Sequence, residues 1–284
     1  MSSIASSGLV SVSDSPDIRI FYETSSTQFD RPVIVLSHSL SAATWLWDSF
    51  VEEFSSQFTI VRYDIRFHGR SPSSTVENFD YNAGHTIEDL ASDVVKLLDH
   101  LGMAQVEAFI GLSIGGGIAV VLAANHATRF RRVLAVGSRA TVSPADGDVW
   151  AQRVQLARDQ GMATLAKQSI ERWFKPEWRK ANASLASSIA ERVGRQSLEG
   201  YLASIAALQK LDLFPHADSI KRHGDGEKIL FVVGEDDATP VVEETKVLAT
   251  RAGSQVEIVK GAGHITHIEQ PEAFFDLVRQ ALAG

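Results

Sequence analysis

The chain contains no cysteine. Disulfide cross-links, thiolate catalysis and cysteine-ligated metals are therefore excluded. Long apolar runs are also missing: every apolar stretch is strand-length or patterned as a helix, too short to cross a bilayer. The N-terminal segment MSSIASSGLV has neither the basic region nor the apolar core of a signal peptide. A cytoplasmic protein with no membrane partner is expected, and the Ser-rich start reads as a frayed end. Positive charge is in deficit, with 27 Lys and Arg against 35 Asp and Glu, a formal net charge of -8. A surface of that sign disfavours nonspecific binding to nucleic acid. There is no GxGxxG, no P-loop and no HExxH, so neither nucleotide nor metal nor any other cofactor is implied. Repeats and low-complexity tracts are absent as well.

What is present is ordinary globular material, 44% hydrophobic and 22% charged over 284 residues. Short apolar runs alternate with helical patterns, the signature of βαβ units around a mainly parallel sheet. Val33 to Leu36, Phe58 to Tyr63, Val106 to Leu112, Val133 to Val136, Ile229 to Val233 and Val256 to Val259 read as strands. Thr86, with an acid three residues later, reads as the N-cap of a helix running to Gly102. From Thr141 to Phe214 the strand pattern stops, and this helical stretch holds Trp150, Trp173 and Trp178. The expected organisation is a core of residues 1–140 and 215–284 with a cap inserted at 141–214. Such a block either roofs a pocket at the carboxyl ends of the strands or merely covers apolar surface, and its aromatic content favours the roof.

Gly111-Leu112-Ser113-Ile114-Gly115 is a G-x-S-x-G motif between a predicted strand and a predicted helix. In that context the serine sits on a sharp turn that lifts its hydroxyl above the sheet edge. A serine hydroxyl needs a base. His264, directly after Gly261-Ala262-Gly263, is the candidate; His267 is its competitor and otherwise a pocket-rim or solvent residue. The acid should follow the strand Ile229 to Val233, where Asp236 and Asp237 are adjacent. Counting from the strand end favours Asp237; counting back from Thr239-Pro240 favours Asp236. The amides of Ile114 and Leu40 are the expected oxyanion donors. His38 and the segment Arg66-Phe67-His68-Gly69-Arg70-Ser71 read as structural.

Taken together these residues resemble the α/β-hydrolase fold over nearly the whole chain, and within it the 3-oxoadipate enol-lactone hydrolases and their lactonase-like relatives. The likeness rests on Leu36 to Leu40, Tyr63 to Gly69, Leu97 to Gly102, Gly111 to Ser113, Glu171 to Phe174, Gly263-His264 and Ile268 to Pro271. The family's pattern differs at His38 (Asn), Ser41 (Gly), Phe67 (Gly) and Thr266-His267 (Ser-Asn), and its acid loop is one residue longer. The resemblance implies a serine hydrolase that cleaves a carboxylic ester or lactone through an acyl-enzyme. The alternatives are a C–C hydrolase of a diketone and a non-catalytic ligand receptor on the same scaffold. The partner implied is a small-molecule ester or lactone; homo-oligomerisation stays open. An enol lactone of this class carries a carboxylate, and an arginine fork suits one. Arg139 is placed first for this, with Arg153 and Arg172 behind it, and Trp150 and Trp173 as apolar walls.

Overall fold

Alternate residues of the central strands feed two separate cores. In the strand Val33–Ser37, Val33 and Val35 face one side of the sheet and Ile34 and Leu36 the other. The same split recurs at Phe109 against Ala108 and Ile110, and at Val133 and Ala135 against Leu134 and Val136. Side chains two residues apart share a face, so a strand covered on both sides must be apolar throughout. The computed structural model describes residues 4–73 and 76–283. It contains one sheet of eight strands: β1 (Ser6–Asp14), β2 (Asp17–Thr24), β3 (Val33–Ser37), β4 (Thr59–Tyr63), β5 (Val106–Leu112), β6 (Phe130–Val136), β7 (Ile229–Gly234) and β8 (Gln255–Val259). Their order is β1-β2-β4-β3-β5-β6-β7-β8. The pairings from β4 to β8 are parallel, while β2 runs antiparallel to both β1 and β4.

Helices close both faces. On one lie α2 (Ile87–His100), α3 (Ile114–Asn125), α9 (Phe214–His223) and α10 (Thr239–Ala252); on the other lie α1 (Asp48–Phe54) and α12 (Pro271–Ala283). α2 opens on a capping box: the Thr86 hydroxyl accepts from the Asp89 amide and the Asp89 carboxylate accepts from the Thr86 amide. α3 is buried from Ile114 to Ala123, as an all-apolar helix at the centre of a fold must be.

The Ser-rich start is corrected in part. Residues 1–3 lie outside the described residues, but Ser6 and Ser7 are already in β1. Val10, Val12, Ile18 and Ile20 are buried and pair β1 with β2 as a hairpin. The serines between them point outward on an edge strand, which hid a period-two pattern behind a polar composition.

Between β6 and β7 the chain leaves the sheet for α4 (Pro144–Gln160), α5 (Met162–Trp173), α6 (Pro176–Ala181), α7 (Ala183–Gly194) and α8 (Leu198–Gln209). An isolated antiparallel bridge, Thr141 to Asp212, ties the two ends of this excursion together. The Ser197 hydroxyl, which caps α8, also donates to the Phe67 carbonyl at 2.7 Å and so docks the helix on the loop after β4. Short α11 (Thr266–Glu269) separates β8 from α12.

Candidate active site

Five strands end at one place. Residues just beyond the carboxyl ends of β3, β5, β6, β7 and β8 line a single cavity of about 180 Å³: Leu40, Ser113, Arg139, Asp237 and His264. Open α/β sheets bind ligands at that edge.

Ser113 has φ 61° and ψ -111°, a conformation that costs a non-glycine residue about 1–3 kcal/mol. Its neighbours hold it there. The Ser113 amide donates to the Val136 carbonyl at 2.7 Å. Gly111 has no room for a side chain, since a Cβ would lie 1.9 Å from the Gly115 carbonyl oxygen. The turn therefore needs glycine where the strand passes under the first turn of α3. Ile114 is the first residue of α3, so its amide has no partner within the helix. Leu40 lines the same cavity between Ser39 and Ser41, the latter at φ 60°.

His264 Nδ1 lies 2.8 Å from Asp237 Oδ2, with side chains 12% and 3% exposed. The carboxylate accepts, so the neutral ring carries its proton on Nδ1 and keeps the Nε2 lone pair free. Burial works against the charged imidazole, but the Asp237 charge and hydrogen bond outweigh it and raise the pKa of His264 above the ordinary value. The other Asp237 oxygen accepts the Ala238 amide at 2.7 Å. Asp236 turns away: its carboxylate is 42% exposed and pairs with Lys175 Nζ at 2.8 Å.

The residues matching the α/β-hydrolase fold run from 32 to 271, most of the chain. The protein belongs to the α/β-hydrolase fold family. Among relatives of this hydrolase, 3-oxoadipate enol-lactonase 2 of Acinetobacter baylyi is 29% identical over 258 residues, 91% of each chain. A putative carbamate hydrolase, RutD, of a Caulobacter species is 26% identical over 258 residues, 90% of this chain and 92% of that one. The crystal structure of the enol-lactonase from Burkholderia xenovorans LB400 superposes with a TM-score of 0.82 at 31% identity, covering 94% and 97% of the two chains. The chain is thus an enzyme of the α/β-hydrolase family, similar to lactonases.

The rest of the cavity wall departs from expectation. Arg139, placed first as a carboxylate clamp, is already engaged. Its guanidinium meets Asp146 at 2.9 Å and Glu244 at 2.7 Å. Burial opposes its charge, yet the two carboxylates hold it well above the ordinary arginine range. Asp146 serves the N-cap of α4 and Glu244 comes from α10, a partner more than a hundred residues away that no local motif announces. Arg153 and Arg172 also line the cavity, and among the described residues neither has a carboxylate within ion-pair distance. The Arg153 guanidinium stands 4.8 Å over the Trp150 ring. Arg172 donates to Ser169 Oγ at 3.0 Å. Arg172 is exposed by area yet hemmed in by protein, as a side chain lining a cavity is. Burial, then the nearby charge of Arg153, pull its pKa down to about 10, so it stays cationic at neutral pH. Tyr201 on α8 faces the same space and is buried. Of the tryptophans, Trp150 and Trp173 line the cavity. Trp178 is half-buried and stacks on Phe174 at 4.4 Å.

His267 is neither on the rim nor in solvent. It is fully buried, stacks on Trp47 at 4.2 Å and donates from Nε2 to the Leu46 carbonyl at 2.9 Å. It is not among the residues that line the cavity. His38 accepts the Ile65 amide on Nε2 at 2.9 Å and donates from Nδ1 to the Ser39 carbonyl at 2.8 Å, pinning the loop that presents Leu40. Buried His68 donates to the Arg66 carbonyl at 3.0 Å. Burial lowers the pKa of His38, His68 and His267 to about 4. Arg66 forms a two-point pair with buried Asp93, and neither residue lines the cavity. Among the described residues there is no group of His, Cys, Asp or Glu that could hold a metal, and no helix is long and apolar enough to cross a membrane.

Proposed function

We propose that this chain is a serine hydrolase that opens a lactone, or cleaves a carboxylic ester, through an acyl-enzyme. The observation that carries the reading is the strained Ser113 turn sharing one cavity with a His264 whose tautomer is set by Asp237. Ser113 Oγ attacks the carbonyl carbon while His264 Nε2 takes its proton. The amides of Ile114 and Leu40 stabilise the developing oxyanion. The ring C–O bond then breaks and the leaving oxygen takes the proton from His264, staying tethered to the acyl group. Water, deprotonated by His264, releases Ser113 and a hydroxy acid; an enol product becomes a ketone. Residues 141–214 act as a lid, supplying Trp150, Arg153, Arg172, Trp173 and Tyr201 to the cavity. A turnover screen of lactones, enol lactones, short esters and diketones tests the reading. Preference for a diketone would replace it with C–C hydrolysis, and no turnover of any activated ester would leave a ligand receptor.

The base must be neutral to accept a proton. Because the His264 pKa is raised, kcat/KM is expected to fall as pH drops through a value above 6.5, the ordinary histidine value. An acid limb centred below 6.5 in a pH–rate profile would contradict this.

Two arginines with no carboxylate partner among the described residues favour a substrate bearing its own carboxylate, as an enol-lactonase substrate would. Arg153→Ala and Arg172→Ala should each cost about 2–5 kcal/mol in kcat/KM for a carboxylated lactone and much less for its methyl ester. Arg139→Ala should not separate the two substrates. The comparison is steady-state kinetics on the acid and ester pair. Equal losses on both would retire the pair as a clamp.

A further inference from the structure

We propose that Glu269 is a positioning residue that straps the loop carrying His264 to the Trp173–Lys175 segment of the lid, so that lid and base hold one position together. The proposal rests on the reading of His264 as general base. Glu269 is 6% exposed and lies five residues after His264, outside the set that lines the cavity. Its two oxygens serve different parts of the chain. Oε1 accepts the Lys175 amide at 2.9 Å, just beyond the end of α5. Oε2 accepts the Gly263 amide. A third bond runs in parallel, from the His264 amide to the Trp173 carbonyl at 3.0 Å. Two stretches some ninety residues apart are thus joined by two hydrogen bonds, and the third closes the His264 loop on Glu269 at the residue before the imidazole. The fit is close: a Cβ at Gly263 would lie 2.7 Å from Glu269 Oε2 and 2.9 Å from the Trp173 carbonyl oxygen.

A carboxylate is a costly choice for a buried staple, because it must be fully hydrogen-bonded to be tolerated. What it adds over a neutral group is two strong acceptors for two amides and a negative charge near the base. Trp173 itself walls the cavity, so a substrate leaning on its indole loads the same segment that holds the His264 amide. The charged and titratable groups facing Glu269 are Lys175, whose ammonium is bonded to Asp236, Asp236 itself and the His264 imidazole. Those facing His264 are Asp237, Arg172 and Glu269.

Lys175 offers a clean way to cut one bond. Its φ of -63° and ψ of 150° already suit proline, and Phe174 before it is extended at φ -127° and ψ 141°. Lys175→Pro therefore deletes the amide hydrogen without asking the backbone to move, and Lys175→Ala serves as the reference for loss of the side chain. Kinetics on a turned-over ester or lactone and an NMR titration of the His264 imidazole would be compared in the wild type, Glu269→Gln and the two Lys175 variants. In Glu269→Gln, where an amide NH2 must face one of the two donors, kcat should fall by up to about a hundredfold with KM changing far less. The His264 imidazole should titrate at lower pH. Lys175→Pro should lose about tenfold in kcat relative to Lys175→Ala. An unshifted imidazole in Glu269→Gln, or equal kcat in the two Lys175 variants, would reduce Glu269 to a structural staple and overturn the proposal. If Glu269→Gln does not fold, the Lys175 pair alone decides. The titration needs no turnover, so a shifted imidazole in a protein whose Ser113→Ala variant stays active would uphold the strap and sink only the base reading.

Discussion

Ser113→Ala is expected to lower kcat by roughly four to six orders of magnitude while the melting temperature stays close to that of the wild type. The size follows from the absence of a substitute. The described cavity wall offers Ser39, Ser41, Ser138 and Ser169 as other serine hydroxyls. None of them is joined directly to a strand on one side and the first residue of a helix on the other, as Ser113 is, and Ser169 is bonded to the Leu165 carbonyl and Arg172. The fold should tolerate the change because the φ of 61° is a property of the backbone and is the same with alanine in place. Steady-state kinetics on whichever ester or lactone is turned over, together with a thermal melt, provide the measurement. Activity at a tenth of wild type would remove Ser113 from the mechanism, and a large drop in melting temperature would leave its loss uninterpretable as chemistry.

Asp237→Asn should cost about 10⁴-fold in kcat. An asparagine amide in that position can donate to Nδ1, which favours the tautomer with its proton on Nε2, where the serine hydroxyl has to be accepted. The ring would also lose the charge that raises its pKa. Asp236→Asn removes a solvent-exposed pair with Lys175, a contact of little energetic weight, and should change kcat by no more than a few-fold. Measured side by side, the two variants separate adjacent carboxylates of opposite environment. A larger effect at Asp236 would mean that Lys175 and its partner, not the Asp237 bond, orient the site.

The features legible in the sequence were those decided by near neighbours. β5 and the start of α3 follow from Val106 to Leu112 and the glycines around Ser113, and the capping box at Thr86 and Asp89 is complete within four residues. β1 was not legible because an edge strand with serines on its open face looks like any polar terminus. Arg139 was misplaced because one of its two partners, Glu244, arrives from α10 by the folding of the whole sheet. Glu269 carries no catalytic motif at all; its two amide donors become neighbours only when α5 is laid beside the loop after β8. The contrast between Asp236 and Asp237 is likewise a matter of which way a loop turns between two strand ends, and sequence spacing alone left both open.

The buried histidines also bear on how the molecule meets acid. His38, His68 and His267 each refuse a proton until about pH 4, whereas the same side chains in an unfolded chain take one up near 6.5. Between those two values the unfolded state binds up to three more protons than the folded one at these positions, so acidification pulls the equilibrium toward unfolding, and the pull levels off only near pH 4. Neutralising the base His264 and keeping these three rings uncharged therefore call for the same conditions. Conformational stability and chemistry would be lost together on the acid side, although different histidines are responsible for each.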